Sequence, residues 1–291
     1  MNIVSIGAGV MGRAFDGILE KKGLKIFLWD KDESKVVDQK PLSKIIPGAG
    51  VIFLCIPSGA IKEALGEIIP YLKPETIIIS VSKGLEEESG KTVDRLLFEL
   101  LPKNQPIALL SGPMFASELS ENFSGCGILA APDEVFEVLK QIFQNTNLHL
   151  EHSKDIHGVA LASVLKNIYA VGLGMAETLE LGCNFRGWFI VRAAKEMSGI
   201  IAILGGDPET AYGLAGLGDL ITTGLSDQSR NFRVGRDFIK EGVIKNSEGI
   251  KSLPLVDGQL GKKSESFPLF SRLKNVIIDG EDPRESLGII I

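Results

Sequence analysis

The stretch NIVSIGAGVMGRAF, residues 2–15, decides the fold of this chain. It opens with the β-branched residues typical of a buried strand, and the pattern Gly-x-Gly-x-x-Gly follows at once, at Gly7, Gly9 and Gly12. Such glycines allow a tight turn, a close approach of the backbone to a pyrophosphate, and close packing of a helix on a strand. The loop Gly7–Gly12, which includes Val10 and Met11, opens a helix that runs to Lys22 and presents N–H donors to phosphate oxygens. The order of strand, glycines and helix therefore predicts a dinucleotide-binding site.

A carboxylate about twenty residues after the glycines fits the same site. Asp30 ends the second predicted strand, where it can accept hydrogen bonds from the adenosine ribose hydroxyls. Its charge would repel the 2′-phosphate of NADP, but Lys31 follows directly and could pair with that phosphate. The sequence therefore predicts NAD or NADP as the cofactor, with NAD slightly favoured.

Short apolar runs alternate with amphipathic segments over the first half of the chain. The predicted strands are Asn2–Ile6, Lys25–Trp29, Val51–Ile56, Thr76–Val81, Ile107–Leu110 and Ile128–Ala131. The predicted helices between them are Gly12–Lys22, Ser58–Leu72, Leu85–Leu101 and Asp133–Asn145. This alternation predicts an α/β fold with a Rossmann-type doubly wound parallel sheet and crossover helices. The link from Asp30 to Val51 has room for one minimal crossover, but not for a further strand and helix.

The strand pattern ends after Leu148–Leu150, and long helix-like segments follow. They are Asp155–Leu181, Phe185–Leu204, Pro208–Ala215, Asn231–Glu241 and Phe267–Val276. The stretch Ser247–Ser266 has the most loop-like composition. We therefore expect two domains, a dinucleotide-binding Rossmann domain at residues 1–150 and an all-helical substrate and catalytic domain at residues 151–291.

The charge balance and the cysteines argue against several classes of protein. The 291 residues are 44% hydrophobic and carry 31 Lys plus Arg against 37 Asp plus Glu, with no basic cluster that would bind nucleic acid. Cys55, Cys126 and Cys183 are far apart, and the histidines lack metal-ligand spacing, so we expect neither disulfides nor a metal site. No targeting segment precedes the first strand. These features predict a cytoplasmic protein.

One long apolar stretch, Gly158–Ala176, has Lys166 as its single charged residue. The stretch is near the length of a membrane span, but a lysine close to its middle makes it a poor one, so we expect a buried helix. Burial disfavours the charged form of a lysine, which suits proton transfer, although a structural ion pair would also account for Lys166. A candidate partner is Asp219, which stands among glycines and apolar residues.

Two further groups could hold a phosphate. Lys83 directly follows a predicted strand, at the edge where a parallel sheet presents its ligand crevice, although alone it is more typical of a solvated loop. The tripeptide Ser229-Arg230-Asn231 precedes a helix and offers a hydroxyl, a guanidinium and an amide. Alone, that tripeptide is more often an ordinary helix cap.

These motifs together make the chain resemble the NAD(P)-dependent glycerol-3-phosphate dehydrogenase family, in its short bacterial form. The matching blocks run in family order over nearly the whole chain. They are Gly7–Gly12, Lys83-Gly84, Ser111–Glu118, Leu165-Lys166-Asn167, Gly213–Leu220, and Ser229-Arg230-Asn231 with Gly235.

The resemblance implies reversible hydride transfer between NAD(P)H and dihydroxyacetone phosphate, which gives sn-glycerol 3-phosphate for glycerophospholipid synthesis. It implies that Lys166 and Asp219 are catalytic and that Lys166 exchanges a proton with the substrate oxygen. The implied substrate-binding residues are Lys83, Gly112, Met114, Lys166, Asn167, Asp219, Ser229, Arg230 and Asn231. Besides the glycine loop and Asp30-Lys31, the implied cofactor-binding residues are Lys83, Ala116, Arg230 and Glu248.

The chain departs from the family pattern at several positions. Met114 replaces a small hydroxyl residue, which removes a hydrogen-bonding group beside the substrate. Ala160 replaces a glutamate, and Thr223-Gly224 replaces a threonine–cysteine pair. Residues 31–50 form a shorter segment than family members usually carry. An altered substrate affinity, or a different substrate, is compatible with these departures.

Two alternatives stay open. Another two-domain reductase, acting on a 3-hydroxy acid or ketopantoate, would take a carboxylate substrate and would not need the last two blocks together. An inactive dinucleotide-binding regulator would not need Lys166, Asp219 and Arg230. The apolar helical half is also consistent with a homodimer.

Overall fold

The first half of the chain forms one seven-stranded sheet, seen in a computed structural model that describes residues 2–288. The strands are β1 (Asn2–Ile6), β2 (Ile26–Trp29), β3 (Ala49–Leu54), β4 (Ile77–Ser80), β5 (Ile107–Ser111), β6 (Gly125–Ala130) and β7 (Leu148–Ser153). They lie in the order β2-β1-β3-β4-β5-β6-β7. Because β2 and β3 pair with opposite sides of β1, the strand order reverses there, as in a doubly wound sheet. The predicted Rossmann-type fold is confirmed.

The chain divides into two units. Unit 1 comprises Met1–Lys83 and Lys91–Ile156, and unit 2 comprises Gly84–Gly90 and His157–Ile291. Met1 and residues 289–291, the outer ends of the two predicted domains, lie outside the described residues. The sheet belongs to unit 1, and the described part of unit 2 contains helices and turns, so the predicted helical character of the second half is confirmed.

The sheet ends at β2, which has a neighbour on one side only. Residues 30–48 contain the one-turn helix α2 (Leu42–Ile45) and two 3₁₀ turns but no strand, so the predicted minimal crossover is confirmed. The side chain of Gln39 lies against this edge. Its Oε1 accepts from the backbone N–H of Asp30 at 2.7 Å, and its Nε2 donates to the Asp30 carbonyl at 3.0 Å. The amide thus pairs with Asp30 as a neighbouring strand would.

Strand β6 runs antiparallel to β5, so the prediction of a wholly parallel sheet is wrong here. The link between these strands contains helix α5 (Ala116–Ser120), whose five residues span roughly 7–8 Å, against roughly 17 Å for a five-residue strand. So short a helix cannot return the chain to the start of β5. The chain reverses instead, beginning at Gly112, which has a φ of +110°.

Helices connect the strands of unit 1. Besides α2 and α5, they are α1 (Val10–Glu20), α3 (Ile61–Ile68), α4 (Val93–Leu100) and α6 (Asp133–Phe143). An apolar cluster packs α1 and α6 against the sheet, where the rings of Phe15, Phe53 and Phe143 have centroids 5.2 to 5.9 Å apart. These tilted and edge-to-face contacts hold α1, and with it the glycine loop, on the strands.

The predicted helix Leu85–Leu101 is wrong in its first half, where the chain forms a turn. The Glu86 carboxylate accepts hydrogen bonds from the backbone N–H and the hydroxyl of Ser89, at 2.7 and 2.6 Å. Gly90 has a φ of +68°, and its carbonyl accepts from Nε2 of Gln259 at 2.7 Å. A local carboxylate acceptor and a left-handed glycine favour a turn over a helix.

The long helix α7 (Ile156–Thr178) lies in unit 2 apart from its first residue, and every residue from Gly158 to Ala176 is buried. The other helices are α8 (Gly182–Leu204), α9 (Asp219–Gly224), α10 (Arg230–Glu241), α11 (Glu248–Leu260), α12 (Pro268–Ile277) and α13 (Pro283–Gly288). Within residues 2–288, α7 is the helix that is long and apolar enough to cross a membrane, but its 18-residue apolar window is 100% buried. The expected buried helix around Lys166 is confirmed.

The stretch Ser247–Ser266, predicted as a loop, is helical: α11 is followed by a 3₁₀ turn. The Ser247 hydroxyl caps α11 by accepting from a backbone N–H of its first turn. The buried residues of α11 are Gly249, Ser252, Leu253, Val256 and Leu260. Pro254 and two glycines lower the intrinsic helix propensity of this segment, so its apolar spacing is hard to recognise in the sequence. Packing of the apolar face outweighs that propensity.

Glu196 joins three helices of unit 2 through a buried carboxylate. From α8 it accepts hydrogen bonds from the backbone N–H groups of Leu269 and Phe270 in α12, both at 2.8 Å, and from the Tyr169 hydroxyl of α7 at 3.1 Å. Burial raises the pKa of Glu196. The hydrogen bonds lower it, but the effect of burial is larger.

We expect Glu196→Gln to remove a pH dependence of stability. Because burial raises the pKa of Glu196, the folded chain binds its proton more tightly than the unfolded chain, so this contribution to stability is complete below the ordinary value of 4.5. This contribution to stability is lost as the pH rises from 4.5 through the raised pKa of the folded chain. The unfolding free energy of the wild type, measured in urea relative to Glu196→Gln, is therefore expected to fall as the pH rises from 4.5. A difference that grows over this range would contradict the assignment.

Candidate active site

The glycine loop of unit 1 is shaped by two close approaches of the backbone. Gly7 has a φ of +104°, and a Cβ there would lie closer than 3.0 Å to the Cys55 carbonyl. A Cβ on Gly12 would similarly overlap the carbonyl oxygen of Gly7. A Cβ on Gly9 would meet nothing within 4 Å, so the space beside it is open. Gly9 is also the N-cap of the eleven-residue α1 and has no side chain to cap it. A pyrophosphate fits this open, donor-rich helix start.

The neighbouring loop residues differ in burial. Val10 is 79% exposed and Met11 packs partly against the apolar cluster of unit 1. An exposed Val10 beside Gly9 leaves the first turn of α1 accessible to a ligand.

Asp30 is tied to the glycine loop through its carboxylate. Its Oδ2 accepts from the backbone N–H of Ala8 at 2.9 Å, and its Oδ1 accepts from the backbone N–H of Asp32 at 3.0 Å and from Nζ of Lys35 at 3.1 Å. Partial burial favours the neutral carboxyl, but these hydrogen bonds and the Lys35 charge outweigh it and lower the pKa of Asp30. Asp30 is therefore an ionised acceptor at neutral pH.

A cavity of about 280 Å³ opens beside Asp30. The glycine loop and the end of β2 form one wall, and the segment from Ile56 to Glu67 forms the other. Lys31 lines the cavity and pairs with Glu63 of α3, Nζ to Oε1, at 2.5 Å. Sequence reasoning identified Lys31 but missed Lys35 and Glu63, because side chains on separate elements meet here only through the fold.

Lys83 and Gly112, two further predicted site residues of unit 1, are in contact. Nζ of Lys83 donates to the carbonyl oxygen of Gly112 at 3.0 Å, which joins the ends of β4 and β5. Ala116 begins α5. Met114 is 5% exposed and packs in the apolar core of unit 1. Its thioether thus fills space in the core, and its role as a substrate contact stays a prediction.

Lys166 and Asp219 form a buried ion pair in unit 2. Nζ of Lys166 lies 3.0 Å from Oδ2 of Asp219, and the two side chains are 4% and 2% exposed. Taking both charges out of water is costly, and a pair so placed needs further polar groups to complete it. The structure thus brings together the two residues that the sequence singled out.

The glycine-rich block at residues 213–220 places Asp219 there. The predicted helix Pro208–Ala215 is wrong in its second half, because the 3₁₀ helix Pro208–Tyr212 gives way to a π-helical turn, Leu214–Gly218. A Cβ on Gly216 would overlap the carbonyl oxygen of Ala211. The glycine therefore lets the π-helical turn pack on the preceding backbone, and the turn leads directly into α9, which Asp219 begins.

An amide network joins the residue after Lys166 to two other helices. Nδ2 of Asn231, in α10, donates to Oδ1 of Asn167 at 2.8 Å. Oδ1 of Asn231 accepts from the backbone N–H of Gly249, in α11, at 2.9 Å. Nδ2 of Asn167 donates to the Ser163 carbonyl at 3.2 Å. Asn231 therefore holds α7, α10 and α11 in register around Lys166.

Three predicted residues stand at helix starts of unit 2. Ser229 is the N-cap of α10, and its hydroxyl accepts from the Phe232 backbone N–H at 3.3 Å. Arg230 is exposed and donates to the Asn246 carbonyl at 3.0 Å. Glu248 is the first residue of α11. Ser229 thus has the capping role that the sequence left open, and one of the five guanidinium N–H donors of Arg230 is used within the chain.

Two family models match the chain. The N-terminal model of NAD-dependent glycerol-3-phosphate dehydrogenase matches residues 33–137, and the C-terminal model of the same enzyme matches residues 155–288. Together they account for most of both units.

Full-length relatives agree with these matches. The chain is 32% identical to the glycerol-3-phosphate dehydrogenase [NAD(P)+] of Alcanivorax borkumensis, over 96% of this chain and 90% of that protein. It is 30% identical to the enzyme of the same name from Teredinibacter turnerae, over 97% and 92%. The crystal structure of glycerol-3-phosphate dehydrogenase from Coxiella burnetii superposes with a TM-score of 0.85 at 27% identity, covering 99% of this chain and 97% of that one. This chain therefore belongs to the NAD-dependent glycerol-3-phosphate dehydrogenase family.

Proposed function

We propose that this protein catalyses reversible hydride transfer between NAD(P)H and dihydroxyacetone phosphate, giving sn-glycerol 3-phosphate for glycerophospholipid synthesis. The observation that carries the proposal is the buried pair of Lys166 and Asp219 at 3.0 Å, in a chain that also has a glycine-loop dinucleotide site. The membership of the family and the names of the relatives support the same reaction.

In this proposal, residues 1–150 bind the cofactor. The open space at Gly9, the uncapped start of α1 and the ionised Asp30 fit a pyrophosphate and an adenosine ribose. Ala116 and Lys83 would add further contacts, and the family resemblance implies Arg230 and Glu248 as well. When bound, the reduced nicotinamide supplies the hydride.

Residues 151–291 would carry out the proton chemistry. As the substrate carbonyl is reduced, negative charge grows on its oxygen, and the Lys166 ammonium gives that oxygen a proton. In the reverse direction, the neutral amine takes the proton from the hydroxyl group. Asp219 holds the ammonium in place before each reduction. Asn167 and Asn231 fix the segment that carries Lys166 and help to orient the substrate.

The cationic and polar groups implied by the family resemblance would bind the substrate phosphate. Arg230 is exposed and directs one of its five guanidinium N–H donors to the Asn246 carbonyl. Lys83, Ser229 and Asn231 complete the proposed phosphate-binding set, and Gly112 and Met114 are the remaining proposed substrate contacts. A phosphate held at a distance from the carbonyl converts binding into orientation of the reacting carbon.

Consumption of NADH with matched substrates tests this function. We expect turnover with dihydroxyacetone phosphate and a loss of at least about a hundredfold in kcat/KM with dihydroxyacetone, which lacks the phosphate. Ketopantoate and simple 2-keto acids serve as comparison substrates for the rival reductases. Faster turnover of a keto acid would replace the proposal, and NADH binding without any turnover would favour a regulator.

Three predictions about context accompany this function. We propose that two copies of the chain form a homodimer, which light scattering measures. We also propose a cytoplasmic location and a chain without a membrane span, supported by the complete burial of the apolar window of α7. Cell fractionation tests the location.

A further inference from the structure

The cavity beside Asp30 is lined by five charged side chains. Asp30, Lys31 and Lys35 lie in the β2 wall, and Glu63 and Glu67 lie on the α3 wall. In the proposed function this is where the adenosine ribose binds, so the further inference rests on that function. The ribose carries a hydroxyl at its 2′ position in NADH and a phosphate there in NADPH.

Both lysines of this cavity already have carboxylate partners within it. Nζ of Lys31 lies 2.5 Å from Oε1 of Glu63, and Nζ of Lys35 lies 3.1 Å from Oδ1 of Asp30. Glu63, and to a smaller extent Glu67, raise the pKa of Lys31. Three carboxylates against two ammonium groups leave the cavity with an excess of negative charge.

A 2′-phosphate would enter this cavity as a further anion. Its binding needs cations that can turn towards it, and Lys31 would first have to leave Glu63. After that exchange, the Glu63 carboxylate would stand in the same cavity as the phosphate and repel it. A 2′-hydroxyl brings no such charge, and the ionised Asp30 can accept a hydrogen bond from it.

We propose that Glu63 is a specificity-determining residue that makes this protein select NADH over NADPH. It acts in two ways, by engaging Lys31 and by adding negative charge to the cavity wall opposite the ribose. In the sequence, Lys31 suggests that the protein could use both NADH and NADPH. In the structure, Glu63 of α3 pairs with Lys31 and so disfavours NADPH.

Direct cofactor binding tests the proposal without any substrate. Dissociation constants for NADH and NADPH are measured by fluorescence titration of the purified protein, with wild type expected to bind NADH more tightly. In Glu63→Gln the ratio of the two constants is expected to shift by about threefold to tenfold towards NADPH. The shift should shrink at high salt, because the effect is electrostatic and the side chains are exposed. An unchanged ratio, or a wild type that prefers NADPH, would overturn the proposal.

Glu137→Gln is the matched control. Glu137 also forms an exposed ion pair with a lysine, Lys140, but it lies on α6 and does not line the cavity. Its substitution is expected to leave the ratio of dissociation constants unchanged. If it shifts the ratio as much as Glu63→Gln does, the effect reflects net charge and the proposal fails.

A double substitution identifies the cation. The gain in NADPH affinity from Glu63→Gln is expected to be clearly smaller when the substitution is made in a Lys31→Gln background, because only the effect of the removed negative charge then remains. A gain of the same size in both backgrounds would overturn the role of Lys31. These titrations separate the two proposals: selective NADH binding without reduction of dihydroxyacetone phosphate would refute the proposed reaction and leave the role of Glu63 standing.

Discussion

Lys166→Met is expected to lower kcat/KM for dihydroxyacetone phosphate by at least about a thousandfold, while the affinity for NADH stays within about twofold. The methionine keeps the length of the side chain but removes the proton and the positive charge that would meet the developing oxyanion. NADH affinity is expected to be retained because the proposed cofactor contacts of the glycine loop and Asp30 lie in unit 1, whereas Lys166 lies in unit 2. Steady-state kinetics and a fluorescence titration with NADH measure the two quantities.

The stability of this variant needs its own control. Removing Lys166 takes the ammonium partner from the Asp219 carboxylate, which is 2% exposed, and this is expected to cost about 3–5 kcal/mol of unfolding free energy. Lys166→Met/Asp219→Asn removes both charges and is expected to recover much of that loss while staying inactive. A single variant whose kcat/KM falls by less than tenfold, or a double variant that regains activity, would contradict the catalytic role of Lys166.

Gly235→Ala is expected to destabilise the chain by about 3 kcal/mol or more and to abolish activity. A Cβ at this position would overlap the carbonyl oxygen of Val171 in α7, and backbone cannot move aside as a flexible side chain can. A Cβ on Gly174 would overlap the carbonyl oxygen of Phe232 in the same way, so α7 and α10 are in backbone contact along this seam. Forcing the two helices apart would also break the hydrogen bond between Asn231 and Asn167.

Gly258→Ala is the matched control for that substitution. Gly258 also lies inside a helix, α11, but a Cβ there would meet nothing within 4 Å. Since alanine is a better helix former than glycine, this change is expected to stabilise the chain by roughly 0.5–1 kcal/mol and to leave activity unchanged. Chemical unfolding measures both variants. Similar effects of the two substitutions would show that helix propensity, and not the close approach of α7 and α10, decides the outcome at Gly235.

Much of the fold was predictable because its signals are local. The glycine pattern after β1, the alternation of strands and helices, and the short link from Asp30 to Val51 each specify structure within a few residues of themselves. The reversed direction of β6 was not predicted, because it depends on the length that α5 can span. The helix α11 was missed because Pro254 and two glycines mask an apolar face that only packing with the rest of unit 2 stabilises.

The candidate site also contains features that the sequence predicted and others that it did not. A single lysine within an apolar stretch and a single aspartate among glycines both require a partner, and this requirement predicted the pairing of Lys166 with Asp219. The contacts of Asn231 with Asn167 and Gly249 join segments far apart in the chain, so no local sequence pattern predicts them. Glu63 was missed for the same reason. A glutamate on the exposed face of a helix is common, and only the folded structure shows that Glu63 contacts Lys31.

The most direct test of the proposed reaction is the stoichiometry of product formation by the wild-type protein. Dihydroxyacetone phosphate and a limiting amount of NADH are incubated with the protein, and the product is determined by chiral analysis. The predicted result is one sn-glycerol 3-phosphate formed for each NADH consumed. NADH that binds but is not consumed, or that is consumed only with a keto acid, would contradict the proposed function.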